Sequence, residues 1–173
     1  MRRIALLLSI MFCFSMLSQE KQNIQQPDAN SPIEALSPGM DAPDFSLPQM
    51  NGEMLALSDL RGKWVLLDFW GSWCYWCIKS IPKLNGFYEK YNDNLEILGI
   101  NTRDDDQRWA NAVKKHEMTW RQVKDDGSVN FSKLYAVTVY PTYVLITPDG
   151  KVAAYSSGKS EEFFNNLDSF LVK

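Results

Sequence analysis

The sequence predicts an α/β domain with the element order β-hairpin, βαβα, ββα. Three observations carry that reading. Two apolar runs, "KWVLLDFW" at residues 63–70 and "LEILGINT" at residues 95–102, have the continuous hydrophobicity of strands buried on both faces. Each is followed by a segment with helix signals. The C-terminal part, "TYVLITPDGKVAAY" and then "SEEFFNNLDSFLV", reads as two antiparallel strands and a closing helix.

The start, "MRRIALLLSIMFCFSML", sets two arginines before an apolar stretch at residues 4–17. That stretch is shorter than the roughly 20 residues a membrane-spanning helix needs, so residues 1–18 read as a secretory signal peptide. Met16 is not the small residue expected three positions before a cut after Ser18, which leaves an uncleaved membrane anchor open. Cys13 is not a lipid acceptor by pattern, since Phe12 precedes it inside the apolar run. Residues 19–39 are polar, proline-bearing and aperiodic, a flexible tether, and the folded domain is assigned to residues 40–173. The expected location is therefore extracytoplasmic, in the periplasm, with tethering through an uncleaved N-terminus as the alternative.

Composition removes several functions. The chain has 173 residues, 45% of them hydrophobic, enough for one domain whose core needs no covalent staples, so its 3 cysteines are not a disulfide scaffold. Its 18 basic residues stand against 21 acidic ones, and loss of Arg2 and Arg3 would leave a net charge of about −5. Lys114 and Lys115 form the largest basic cluster and read as a solvated helix face, so nucleic acid is not an expected partner.

Along the domain, "DFSLPQMNGEMLALSDL" offers two strand-like runs about Asn51–Gly52, a dipeptide that tolerates the positive φ of a tight hairpin turn. A helix from Tyr75 to about Tyr91 follows the first buried strand, and Pro82 should kink it by removing one backbone hydrogen bond. The second buried strand leads into "DDDQRWANAVKKHEM", a helix whose acidic start at Asp104–Asp106 suits the positive end of the helix dipole. Pro148–Asp149–Gly150 joins the last two strands, and Ser160 is the expected cap of the final helix.

Between the first long strand and the first long helix lies "DFWGSWCYWC", with Cys74 and Cys77 three residues apart. A helix N-terminus offers free N–H groups and partial positive charge, which favours a thiolate, the nucleophilic form of cysteine. A spacing of three places both cysteines in the first turn, about 5.5 Å apart at Cα, where a disulfide can close and open reversibly. In that reading Cys74 attacks a substrate disulfide and Cys77 resolves the mixed disulfide. A zinc site would need about four ligands, and His116 is the one further nitrogen or sulfur donor outside the signal segment. His116 itself reads as a surface residue rather than a catalytic base. "GKS" at residues 158–160 lacks the glycine of a phosphate loop, and Asp104–Asp106 lacks the alternation of a calcium loop. No cofactor is expected.

These residues, together with "PGMDAPDFSLPQMNGEMLALSDLRGKWVLLDFWGSWCYWC", "IPKL" and "YPTYVLITPDGKV", resemble the thioredoxin fold and, more closely, the exported TlpA/ResA branch of thiol–disulfide oxidoreductases. The resemblance covers nearly the whole domain. It implies a thioredoxin-like fold, a central mixed sheet flanked by helices with an added N-terminal β-hairpin. It implies protein disulfides or dithiols as substrates, a membrane-bound electron donor and a monomer, with a place in cytochrome c maturation among the options. It also implies a cis peptide between Tyr140 and Pro141, beside the cysteines, where the backbone of Tyr140 pairs with a substrate strand.

Asp68 interrupts its strand six residues before Cys74, the spacing at which thioredoxins place a buried acid, although many of the exported branch carry none. A carboxyl buried without a partner has a raised pKa and could accept the proton of Cys77; a strand-end carboxylate reaching solvent is the alternative. Tyr75 and Trp76 stand where relatives often have proline second. With Trp73 they are expected to meet substrate as a hydrophobic lip, packing being the other reading for Tyr75 and Trp76. Asp104 lies near an acidic residue that faces the active site in some relatives, and is assigned here to capping its helix. Two further functions remain as alternatives. A peroxidase of the peroxiredoxin type shares the "APDFSL" opening but would need a Pro-x-x-x-Thr-x-x-Cys loop, and a copper chaperone would need Cys-x-x-x-Cys with a placed histidine.

Overall fold

The computed structural model describes residues 36–158 and 161–172. The signal-peptide and anchor readings, Cys13, most of the tether and the Ser160 cap lie outside the described residues.

Strand β1 (Ser46–Pro48) pairs antiparallel with β2 (Met54–Ala56) as the expected N-terminal hairpin. Its connection is longer than a two-residue turn. Gln49 and Gly52 close it through backbone bonds, Gly52 alone takes positive φ (83°), and the side chain of Asn51 instead bonds both the amide and the carboxylate of Glu53. A short 3-10 turn, Leu57–Leu60, leads to β3 (Trp64–Trp70).

Helix α1 runs over Tyr75–Tyr91 and continues through Pro82. Then come β4 (Leu95–Asn101), α2 (Asp106–Lys115), β5 (Arg121–Lys124), the four-residue α3 (Phe131–Leu134), β6 (Thr142–Ile146), β7 (Val152–Ser157) and α4 (Glu161–Leu171). The five-stranded sheet has the order β5-β4-β3-β6-β7, with β3, β4 and β5 parallel and β6 and β7 antiparallel. It is the mixed sheet expected of a thioredoxin-like fold. Strand β5 and helix α3 are additions to the sequence reading: "RQVK" and "FSKL" are too short and polar to announce themselves by periodicity.

Period-two alternation divides β3 between two cores. Val65, Leu67 and Phe69 point to a core closed by Leu47 and Leu55 of the hairpin and by Phe131. Leu66 and Trp70 point to the opposite core, with Ile81 and Leu84 of α1, Trp109 of α2 and Phe164 and Leu167 of α4. Cys74 and Cys77 belong to this second core. Asp68 falls between Leu66 and Trp70 in the alternation, so its side chain is buried on the cysteine side of the sheet.

Candidate active site

The chain leaves β3 at Trp70 and reaches α1 after four residues. Gly71 is required there by a close approach: a Cβ on it would lie 2.4 Å from Trp73 Nε1 and 2.9 Å from the Thr102 carbonyl. The Trp73 indole folds back over it and donates to that carbonyl at 3.0 Å. This clip lays Trp73 along the end of β4 and leaves Cys74 to start the helix.

Cys74 is the N-cap of α1, in extended backbone, and its Sγ accepts the Cys77 amide at 3.2 Å. The two cysteines form a disulfide with Cα atoms 5.3 Å apart. Both are buried, Cys74 at 6% exposure and Cys77 at 2%, so Cys74 is the less enclosed residue of the pair. An amide in this position would favour negative charge on the Cys74 sulfur of the dithiol.

Asp104 holds this loop in place. Its carboxylate accepts the Ser72 amide at 2.8 Å, the Ser72 hydroxyl at 2.6 Å and the Asn101 side-chain amide at 2.7 Å. The capping assignment is thereby corrected: Asp105 caps α2, accepting the Arg108 amide at 2.8 Å, while buried Asp104 turns back toward the cysteine loop. Three consecutive aspartates divide two tasks, and composition alone does not say which takes which.

Asp68 lies deeper. It pairs in register with Tyr143 on β6 and Gly99 on β4, and its Oδ1 is buried with no hydrogen-bond partner. Desolvation pushes its pKa up to about 8. The solvent-reaching alternative for Asp68 is therefore excluded by its burial. Tyr143, whose own pKa is raised by burial and then by Asp68, donates to Ser80 Oγ at 2.7 Å, and Ser80 in turn donates to the Cys77 carbonyl at 2.7 Å. Gln122 reaches over Gly99 on the same side of the sheet and accepts the Trp70 indole N–H at 3.1 Å. No sequence signal pointed to Gln122, since its position depends on the β4–β5 register.

At the rim, the Tyr140–Pro141 peptide is cis. Tyr140 packs edge-on against Trp73, ring centroids 5.2 Å apart, and Tyr75 packs edge-on against Trp76 at 5.1 Å. Trp73, Tyr75 and Trp76 are 46%, 63% and 48% exposed, so all three rings reach the surface while packing on their neighbours. Trp76 and Pro141 share a groove of about 100 Å³ with Lys79, Ser80 and Tyr143. Thus the cysteines, Trp73, Trp76, Tyr140 and Pro141 converge on one edge, with Asp68 in the core on the same side. His116 does not join them. It caps the C-terminal end of α2, about 15 Å of helix from Asp106 at the other end.

Residues 38–155 match the AhpC/TSA family. The thiol-disulfide oxidoreductase ResA of Bacillus thuringiensis is 34% identical over 141 residues, covering 81% of this chain and 80% of that one. ResA of Bacillus subtilis is 35% identical over 130 residues, covering 75% and 72%. Among solved structures, the thioredoxin domain of a thiol-disulfide oxidoreductase from Bacteroides vulgatus superposes with a TM-score of 0.72 at 29% identity, covering 79% of this chain and 99% of that one. A thiol-disulfide oxidoreductase from Bacteroides fragilis gives 0.67 at 34% identity, covering 76% and 99%.

Proposed function

Because the chain belongs to the AhpC/TSA family of thioredoxin-like proteins and is a thiol–disulfide oxidoreductase related to ResA, we propose that it reduces protein disulfides outside the cytoplasm through Cys74 and Cys77. The observation that carries the roles is the pair at the start of α1, with Cys74 the less enclosed and capped by the Cys77 amide.

In the reduced protein the Cys74 thiolate attacks one sulfur of the substrate disulfide. A Cys74–substrate disulfide forms and the first substrate thiolate leaves. Cys77, relieved of its proton, then attacks Cys74 Sγ; the Cys74–Cys77 bond closes and the second substrate thiolate leaves. Two electrons pass from the cysteine pair to the substrate, and a membrane-bound donor of electrons restores the dithiol. In its ionised form, which gains population as pH approaches about 8, Asp68 is the acceptor for the Cys77 proton, a role supported by its burial on that side of the sheet.

The lip of Trp73, Tyr75 and Trp76 supplies an apolar landing surface, and the backbone of Tyr140 supplies strand pairing. Export rests on the N-terminal sequence pattern, and among the described residues no helix is long and apolar enough to cross a membrane. Cytochrome c maturation is one setting in which such a reductant acts. The test of direction is the reduction potential of the Cys74–Cys77 couple. A value near about −270 mV supports a reductase, and one near about −120 mV would make the protein an oxidant instead.

A further inference from the structure

We propose that Arg103 is a specificity-determining residue, selecting substrates that carry an acidic side chain beside the disulfide. The proposal rests on the oxidoreductase reading and adds a substrate class to it.

Arg103 sits in the bend between β4 and α2 with φ of 64°, in the left-handed region. A residue with a side chain adopts that conformation only at a cost, which its surroundings must impose. Here they do. Thr102 is bonded to the Trp70 carbonyl at 2.9 Å on one side, and Asp104 is bonded to Ser72 and Asn101 on the other. The bend swings the Arg103 side chain away from α2 and over the cysteine loop.

Its guanidinium lies 5.2 Å from the Trp73 ring centroid and 5.3 Å from that of Tyr140. These rings belong to the residues immediately before Cys74 and before Pro141. A guanidinium stacked on aromatic faces is held in orientation, and its N–H edge stays open to a planar anion such as a carboxylate. Among the described residues Arg103 makes no ion pair, although acids surround it in sequence. Asp104 is buried and spends its oxygens on Ser72 and Asn101, and Asp105 caps α2 and pairs with Arg108 at 3.4 Å.

The exposed side chains stacked on the rim aromatics are basic. The protein carries a net charge of −3, yet Arg103 stands on the Trp73–Tyr140 side and Lys79 on the Tyr75 side, 5.5 Å over that ring. Glu161, which lines the groove beside Trp76, is paired with Lys83 at 3.2 Å. An extended substrate segment paired with the backbone at Tyr140 would pass within reach of the guanidinium. A glutamate or aspartate next to its cysteine would form a charge-assisted hydrogen bond there, and a lysine would be repelled.

The experiment uses the full chain, reduced with dithiothreitol and freed of it, in single turnovers with short disulfide-bridged peptides. The peptides are identical except for Glu, Gln or Lys beside one cysteine. The expected order is Glu, Gln, Lys, with roughly five- to tenfold between the extremes, and with the preference shrinking as salt rises. Arg103→Glu is expected to reverse that order, and Arg103→Lys to retain it in weaker form. The salt dependence in the unaltered protein stands whether or not a variant folds. Equal rates for the three peptides, unresponsive to salt, would overturn the role of Arg103 while leaving the oxidoreductase reading intact. Reduction of none of them would overturn both.

Discussion

Asp104 accepts both the amide and the hydroxyl of Ser72, so the loop that carries Cys74 is tied to the end of the neighbouring strand by one buried carboxylate. A third bond, from Asn101, completes the clamp. Cutting it should cost more than a surface ion pair, because two amides and a hydroxyl lose a charged partner in a site with little access to water. Asp104→Ala is expected to lower stability by roughly 2–4 kcal/mol in urea titration. Ser72→Ala, which keeps the backbone bond, should cost about 1 kcal/mol. Equal losses in the two variants would mean that the carboxylate is not the centre of the clamp.

Gly99 tests the packing behind the site. A Cβ there would lie 2.4 Å from Gln122 Oε1, so Gly99→Ala must displace the amide that holds the Trp70 indole. A loss of about 1–3 kcal/mol is expected. The double variant Gly99→Ala with Gln122→Ala should lose less than the sum of the singles, since the second change removes the obstacle created by the first. Strict additivity in denaturant melts would count against the contact.

Asp68 makes stability depend on pH with a definite sign. Its pKa is about 8 in the folded chain against 3.8 without burial, so between these values the folded protein holds a proton that the unfolded chain has released. The contribution is fully present below pH 3.8 and is lost as pH rises through about 8. The Tm of the oxidised protein, in which the cysteines do not titrate, should fall from pH 5 to pH 9. Asp68→Asn should flatten that fall. The same substitution should slow resolution of a mixed disulfide more than its formation, because only the second step requires the Cys77 proton to leave. A variant with an unchanged Tm profile and unchanged rates for both steps would remove Asp68 from the mechanism.

Much of this was legible in the sequence. The strands at β3, β4, β6 and β7 and the helix at Tyr75–Tyr91 follow from apolar runs and their boundaries, and the cysteine spacing matches the observed disulfide. What escaped depends on register and on side-chain direction. Which of Asp104, Asp105 and Asp106 caps α2 is decided by the bend at Arg103, whose left-handed backbone no local rule assigns to arginine. The placement of Gln122 over Gly99 requires β5, four residues without a hydrophobic pattern, to lie beside β4 in one register. Adjacent aromatics at a helix start suit either a docking lip or packing, and the exposure of Tyr75 and Trp76 depends on how the loop before the helix is held, which no local pattern states.

The tryptophans offer an optical check. Trp73 and Trp76 flank the disulfide, so contact quenching by the disulfide should be relieved when dithiothreitol opens it, and emission should rise. Trp64, Trp109 and Trp120 should contribute little. Replacing Trp76 with Phe should reduce the response. Flat emission, with thiol titration confirming that two sulfhydryls have appeared, would show that the indoles do not sense the bond.

The separate roles of the two cysteines are tested most directly by trapping. Cys74→Ser and Cys77→Ser, each reduced and mixed with a disulfide protein such as insulin, are read by mass spectrometry for covalent adducts. Cys77→Ser should accumulate a mixed disulfide through Cys74, because attack is intact and resolution is not, and Cys74→Ser should accumulate little and reduce nothing. Equal trapping by both variants, or trapping through Cys77 alone, would contradict the assignment of Cys74 as nucleophile.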